Sequence, residues 1–245
     1  MSTSTAEAEA REKLAQCGRA LNRLGLYGLA GHISLRIPDS DLILITPGGG
    51  LDKSRLKPED LTVIDASGKR VSGPYPPPLE TPIHTVVHEA KPEYGSIAHL
   101  HAHWATVFSV TKEPLEPALI PARCLGPGPL RTFDVPQLVT TPELGQQLNA
   151  ALGDASAVLM RWHGITVVGR TLEEMFTRAV TLEDNARLLW EAKVLGAPMP
   201  LPREAIENRP TGSADETLVR TFLYYTNLER PADQQIHSGA RYMGS

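Results

Sequence analysis

At 245 residues, 41% hydrophobic and 21% charged, the chain carries enough apolar side chain for a sizeable core in one large or two small domains. A net charge of −4 without a basic run argues against nucleic acid as a partner, and no apolar stretch approaches the roughly 18 residues of a membrane span. Residues 1–12 hold no hydrophobic segment of the secretory type, and Cys17 and Cys124 lack metal-type spacing, so the expected setting is cytoplasmic with both thiols reduced.

In chain order, residues 5–25 read as a helix whose apolar face is Leu14, Cys17, Ala20, Leu21 and Leu24, ended by Gly25 and Gly28. The glycine-bracketed turn Gly28-Leu29-Ala30-Gly31 then enters a short alternating strand, His32-Ile33-Ser34-Leu35-Arg36. Residues 41–46 form a second, nearly all-aliphatic strand, and the turn Pro38-Asp39-Ser40 makes the two an antiparallel pair. Pro47-Gly48-Gly49-Gly50 follows, either a loop that cradles an anion with its N–H groups or a plain flexible turn. After a strand at 61–65 and the turn Ala66-Ser67-Gly68-Lys69, the stiff run Pro74-Tyr75-Pro76-Pro77-Pro78 delivers the chain to Leu79 and Glu80.

Thr81-Pro82 reads as N-cap and first helical position of a helix to about residue 91, with Ile83, Val86, Val87 and Ala90 facing the core and His84 and His88 together on one side. A strand at 96–99 and a helix at 102–110 come next, then a Pro/Gly-rich stretch, 112–140, with short strands such as 131–135. Thr141-Pro142-Glu143 opens a helix that Gly153 ends. An aliphatic strand at 157–160 runs into Arg161-Trp162-His163-Gly164, with 165–168 as its partner. Thr171-Leu172-Glu173-Glu174 is a capping box for a helix to about 195, its buried stripe being Leu172, Met175, Phe176, Ala179, Leu182, Ala186 and Leu189. Pro198, Pro200 and Pro202 lead to a last helix near 213–226 and a polar tail, 230–245, that only a neighbouring subunit would order. Interspersed strands and helices with short loops predict one α/β domain, a central mostly antiparallel sheet flanked by helices.

The chemistry concentrates in Ser96-Ile97-Ala98-His99-Leu100-His101-Ala102-His103-Trp104. Side chains on a strand alternate, so His99 and His101 share a face and can converge on one ion; a buried strand end with hydrogen-bonded imidazoles is the alternative. His163, at a strand end before Gly164, completes a facial three-histidine set with open positions, which suits a catalytic divalent ion. Glu80 is then either a further ligand or a general acid/base, against the plain reading of an acid stabilised at a helix start. Imidazoles with a carboxylate suit one zinc or manganese ion per subunit first, with iron or cobalt also compatible.

With those residues in view, the chain resembles the class II aldolase/adducin family. The resemblance is carried by Gly31-His32-Ile33-Ser34-Leu35-Arg36, Ile45-Thr46-Pro47-Gly48, Leu79-Glu80-Thr81-Pro82-Ile83-His84, His99-Leu100-His101, and Trp162-His163-Gly164 with Gly169 and Thr171-Leu172-Glu173-Glu174. It spans residues 8–196 of a single domain over 1–245, and implies a class II aldolase-like α/β/α fold. It implies a homotetramer with active sites between subunits, for which 197–245 supplies interface. His99, His101 and His163 match the family's metal ligands and Glu80 its catalytic acid. His103 falls outside the triplet, although a His101–His103 pairing is formally open. A tyrosine from a neighbouring subunit's C-terminal region often completes such sites, and Tyr224, Tyr225 and Tyr242 are candidates.

Departures from the family pattern bear on the substrate. Its sugar-phosphate enzymes hold phosphate with polar residues where this chain has Leu29 and His32, Gly48, and Pro78-Leu79. An unpaired buried dianion is costly, which argues against a phosphorylated sugar. The Gly-His-Ile-Ser sequence and the apolar residue before Glu80 resemble instead the family's decarboxylases of hydroxylated aromatic or pyridine carboxylic acids. On that reading Leu29, Leu79, Trp104 and Trp162 shape an apolar pocket, Gly48 and His103 border it, and Arg123 pairs with a substrate carboxylate unless it is a surface arginine. Glu80, at the family's acid position, is the first choice to deliver the proton to carbon; His32 is the alternative donor, or serves a structural hydrogen bond within the turn. An aldolase of a non-phosphorylated hydroxy-oxo acid would use the same groups.

Overall fold

The computed structural model describes residues 5–48, 50–208 and 213–228. Its strands are β1 (His32–Arg36), β2 (Ile43–Ile45), β3 (Thr62–Ile64), β4 (Arg70–Ser72), β5 (Ser96–Leu100), β6 (Arg131–Phe133), β7 (Ala157–Met160) and β8 (Gly164–Gly169). Its helices are α1 (Thr5–Arg23), α2 (Thr81–Ala90), α3 (His103–Ser109), α4 (Pro142–Leu152), α5 (Leu172–Leu195), α6 (Arg203–Glu207) and α7 (Ser213–Asn227). The tail at 230–245, with Tyr242, lies outside the described residues.

The strands join in one sheet of order β4-β3-β2-β1-β5-β8-β7-β6. Its pairings are antiparallel except β6 with β7, where α4 provides the crossover that parallel neighbours require. Helices cover both faces, so β5 and β8 are buried along their whole length and read as continuous apolar runs with few polar breaks. Alternation divides their side chains between two main cores. Ile33, Ala98, Leu100, Ile165 and Val167 pack with Leu21, Phe108, Phe176 and Phe222 of α1, α3, α5 and α7. Ile97, Val158, Met160 and Val168 pack with Ile83, Val87 and Leu148 of α2 and α4. His32, Ser34 and His99 share this second face by the same alternation. Among the described residues no helix is long and apolar enough to cross a membrane.

Several local expectations are corrected. Thr81 is inside α2 rather than its N-cap: Glu80 takes the cap position, and the Thr81 hydroxyl donates back to the Pro78 carbonyl. Ala90 is exposed where the helix ends, and the buried stripe of α2 is Ile83, His84, Val87 and His88. The capping box is incomplete. Thr171 Oγ1 accepts from the Glu174 N–H, while the Glu174 carboxylate reaches past it to the Arg170 N–H. The exposed edge strand β4 and the short α6 carried too few residues of either period to be read from sequence.

Close backbone approach sets the β5–β8 seam. A Cβ added at Gly164 would collide with the Leu100 carbonyl of β5. Gly164→Ala is expected to cost about 1–3 kcal/mol in urea denaturation, the range of overpacking. Gly28→Ala, where an added carbon meets nothing within 4 Å, is the control and should unfold like the parent.

Candidate metal centre

Antiparallel register brings the histidines together. His32 of β1 lies opposite His99 of β5, which in turn lies opposite Thr166 of β8. His99 Nδ1 donates to the Ile165 carbonyl at 3.1 Å, so its Nε2 carries the lone pair. His101, one residue past the strand, sets its own Nε2 3.1 Å from that atom. His163 arrives from the turn between β7 and β8. There Trp162 adopts a left-handed conformation with φ 59°, and the His163 N–H donates to the Met160 carbonyl. Left-handed backbone costs a non-glycine residue about 1–2 kcal/mol, and here it reverses the chain at the site. Arg161 anchors the turn on Asp134 and on the Ser109 and Thr111 carbonyls.

Glu80 closes the group from the start of α2. Its Oε1 accepts from the Val139 N–H at 2.9 Å. Its Oε2 lies 3.6 Å from Nε2 of both His99 and His163, and 4.0 Å from His32 Nε2. Burial raises the Glu80 carboxyl pKa, opposed by the Val139 N–H and by His101. Burial lowers the pKa of His99, and that of His101 and His163 to a lesser degree, with neighbouring imidazoles adding to the effect on the first two. All three are therefore neutral near pH 7, the form that ligates.

The residues fit a divalent cation. One ligand atom from each of His99, His101 and His163 lies within 4.8 Å of the others, and His32, Glu80 and His99 make an overlapping group. His163 Nε2 is buried without a hydrogen-bond partner. An unsatisfied buried polar atom costs about 1–3 kcal/mol, which a bound cation would remove.

The other residues singled out from sequence are dispersed. Gly48 abuts Pro78, and with Leu79 it lines a cavity beside the glycine loop. His103 is exposed at the start of α3 with its ring against Trp104, outside the cluster. Trp104 stacks on Trp190 and joins the α1/α3/α5/α7 core, so it is not a wall of the histidine site. Arg123 lines a separate cavity with Tyr94, Ser156 and Arg178, at the end of β7 opposite His163. Tyr225 packs on Phe176 of α5, across the sheet from His99. Sequence reasoning missed the Val139 N–H, a backbone group with no sequence signal. It also missed Lys53, which is only 2% exposed and pins the glycine loop by donating to the Pro47 and Gly48 carbonyls. Burial lowers the Lys53 pKa to about 8. Ser34, His84 and His88 pack beneath the site; the spacing of the two histidines along α2 was the available signal.

Residues 12–190 match the class II aldolase and adducin N-terminal domain. A 5-methylthioribulose-1-phosphate/5-deoxyribulose-1-phosphate aldolase of Rhodospirillum rubrum is 31% identical over 203 residues, 80% of this chain and 87% of the relative. A 3,4-dihydroxyphthalate decarboxylase of Rhodococcus jostii is 29% identical over 190 residues, 73% of this chain and 78% of the relative. Among solved structures, an L-fuculose 1-phosphate aldolase superposes with a TM-score of 0.74 at 28% identity, covering 89% of this chain and 98% of that one.

Loss of a group that hydrogen-bonds a metal-holding histidine commonly lowers metal affinity about 10- to 100-fold. His163→Ala, which removes a direct donor, is expected to weaken zinc binding by more than about 100-fold in chelator competition, with the circular-dichroism spectrum unchanged.

Proposed function

The chain belongs to the class II aldolase and adducin N-terminal domain family, and from that premise we propose that it is a divalent-metal-dependent carbon–carbon lyase that decarboxylates a hydroxylated aromatic carboxylic acid. The observation that carries the substrate class is the cavity of about 590 Å³ whose lining includes Leu79, the residue that precedes Glu80. Its described lining is Pro47, Gly48, Gly50, Leu51, Tyr75, Pro76, Pro77, Pro78 and Leu79. Apart from the Tyr75 phenol the described lining offers no side-chain donor, so a phosphate would depend on that phenol and on backbone N–H groups, whereas a flat ring meets matching apolar surface.

In this proposal His99, His101 and His163 hold one divalent ion. Bound there, the ion would supply Lewis-acid stabilisation to a chelating hydroxyl and carboxylate pair. The Val139 N–H holds Glu80 Oε1, leaving Oε2 toward the reacting carbon. Burial helps Glu80 keep a proton. When the ring–carboxylate bond breaks, CO2 leaves and the electron pair stays on the ring carbon. Glu80 delivers its proton to that carbon and regains one from water. Leu79 and Trp162, both exposed on the isolated chain, narrow the mouth and exclude water once substrate is seated.

Assembly is part of the proposal. Arg123 and Tyr225 lie away from the histidines of their own chain, so a role at substrate requires a neighbouring copy, as in a homotetramer with sites between subunits.

A second reading, aldol cleavage, draws on the Rhodospirillum rubrum relative. Incubating the metal-loaded chain with dihydroxyphthalates, hydroxybenzoates, hydroxy-oxo acids and ketose phosphates, and scoring CO2 and aldehyde separately, decides between them. Release of CO2 from an aromatic acid is the expected result; aldehyde without CO2 overturns the decarboxylase reading. Glu80→Gln is expected to lower kcat about 10²- to 10⁴-fold while metal content holds, the range for loss of a general acid.

A further inference from the structure

Beneath the candidate site, α2 and β1 bury a run of polar side chains that the proposed reaction does not use. His32, Ser34, His84 and His88 are each at most 4% exposed. His32 Nδ1 lies 2.6 Å from His84 Nε2, and His84 Nδ1 lies 2.7 Å from Ser34 Oγ. Ser34 Oγ lies 2.9 Å from His88 Nε2, and His88 Nδ1 lies 3.3 Å from the Tyr94 carbonyl oxygen. The run is continuous from the rim of the metal centre to the opposite end of the sheet.

We infer that Ser34, His84 and His88 are positioning residues that form a one-way hydrogen-bond chain, anchored on the Tyr94 carbonyl, which holds His32 as the Nδ1–H tautomer so that its Nε2 faces Glu80 as an acceptor. The direction follows from the anchor. A carbonyl oxygen only accepts, so His88 Nδ1 carries a hydrogen and, in a neutral ring, Nε2 does not. The Ser34 hydroxyl therefore donates to His88 Nε2 and accepts from His84 Nδ1–H. His84 Nε2 is left as an acceptor and takes the hydrogen of His32 Nδ1. The last atom, His32 Nε2, carries the lone pair.

Each ring is buried among groups that leave an imidazolium uncompensated, which disfavours the charged form; burial lowers the pKa of His84, and that of His88 to about 3 with Arg36 beside it adding to the effect. Arg36 also braces the anchored end by donating to the Tyr94 and His88 carbonyls. Without the chain, a histidine beside a carboxylate would gain by turning an N–H toward it, since charge-assisted hydrogen bonds are the stronger ones. The buried chain prevents that arrangement. His32 thus acts toward Glu80 as an acceptor, and the proton-donor role in the site falls to Glu80 alone.

A neutron crystal structure of the full chain, as purified and exchanged into deuterium oxide, reads the tautomers directly and needs no substrate, so its result is independent of whether the chain is a decarboxylase or an aldolase. Deuterium is expected on Nδ1 of His32, His84 and His88 and absent from their Nε2 atoms. Deuterium on His32 Nε2 in place of Nδ1 overturns the inference. Ser34→Ala and Ser34→Thr, with 15N-labelled histidine, test the coupling. The His32 Nε2 resonance is expected to move toward the protonated range in Ser34→Ala and to keep the parent value in Ser34→Thr. A folded Ser34→Ala whose His32 resonances match the parent overturns the role of the chain. Should that variant not fold, the neutron structure of the parent still decides the tautomer.

Discussion

The register of β1 against β5 against β8 is the constraint on which the site depends. It sets His32 beside His99 and His99 beside Thr166, all with side chains on the face that α2 covers. A slip of one residue would turn every imidazole into the opposite apolar core. Gly164 permits the close approach of β8 to β5 that this arrangement needs, since any side chain there would meet the Leu100 carbonyl. Two apolar cores on either side hold the strands against such a slip, so the geometry of the candidate metal centre follows from the packing of the whole sheet.

Placing polar groups on a buried face has a cost that the fold meets with partners. His99 gives one nitrogen to the Ile165 carbonyl, Glu80 takes the Val139 N–H, and the histidines of α2 are tied through Ser34 to the Tyr94 carbonyl. His163 Nε2 is left without such a partner, and it sits where the other imidazole lone pairs converge. Arg123 Nε and Asn149 Oδ1 are also buried without a partner among the described residues, but only His163 Nε2 sits among other imidazole nitrogens, as expected where a cation completes the set. The strained turn at Trp162 fits the same view, because left-handed backbone at a bulky residue persists only where surrounding contacts hold it.

Much of the fold was legible because its signals are local. The α1 face, the caps at Thr141 and Thr171, the long α5 stripe and the aliphatic runs of β7 and β8 all announce themselves within a few residues. Errors arose where a distant group competed with a local rule. Thr81 had the residue type of an N-cap, but the chain enters α2 through Glu80, whose carboxylate is drawn across to Val139. Trp104 read as one of the apolar pocket residues, yet the helix that carries it turns it toward Trp190 on the other side of the sheet. Arg123 and Tyr225 are a different case: they lie away from the histidines of their own chain, a separation that topology alone sets.

By itself the sequence determined the longer helices and the buried strands, the clustering of His99 and His101, and the family, because residue type and short-range spacing are sufficient for each. Only the tertiary structure decided which nitrogens are free, which carboxylate oxygen faces the imidazoles, and that His84, Ser34 and His88 connect His32 to the far end of the sheet. Hydrogen bonds join residues about fifty positions apart along the chain, as between His32 and His84. Their direction depends on carbonyl groups that every sequence carries and no sequence distinguishes.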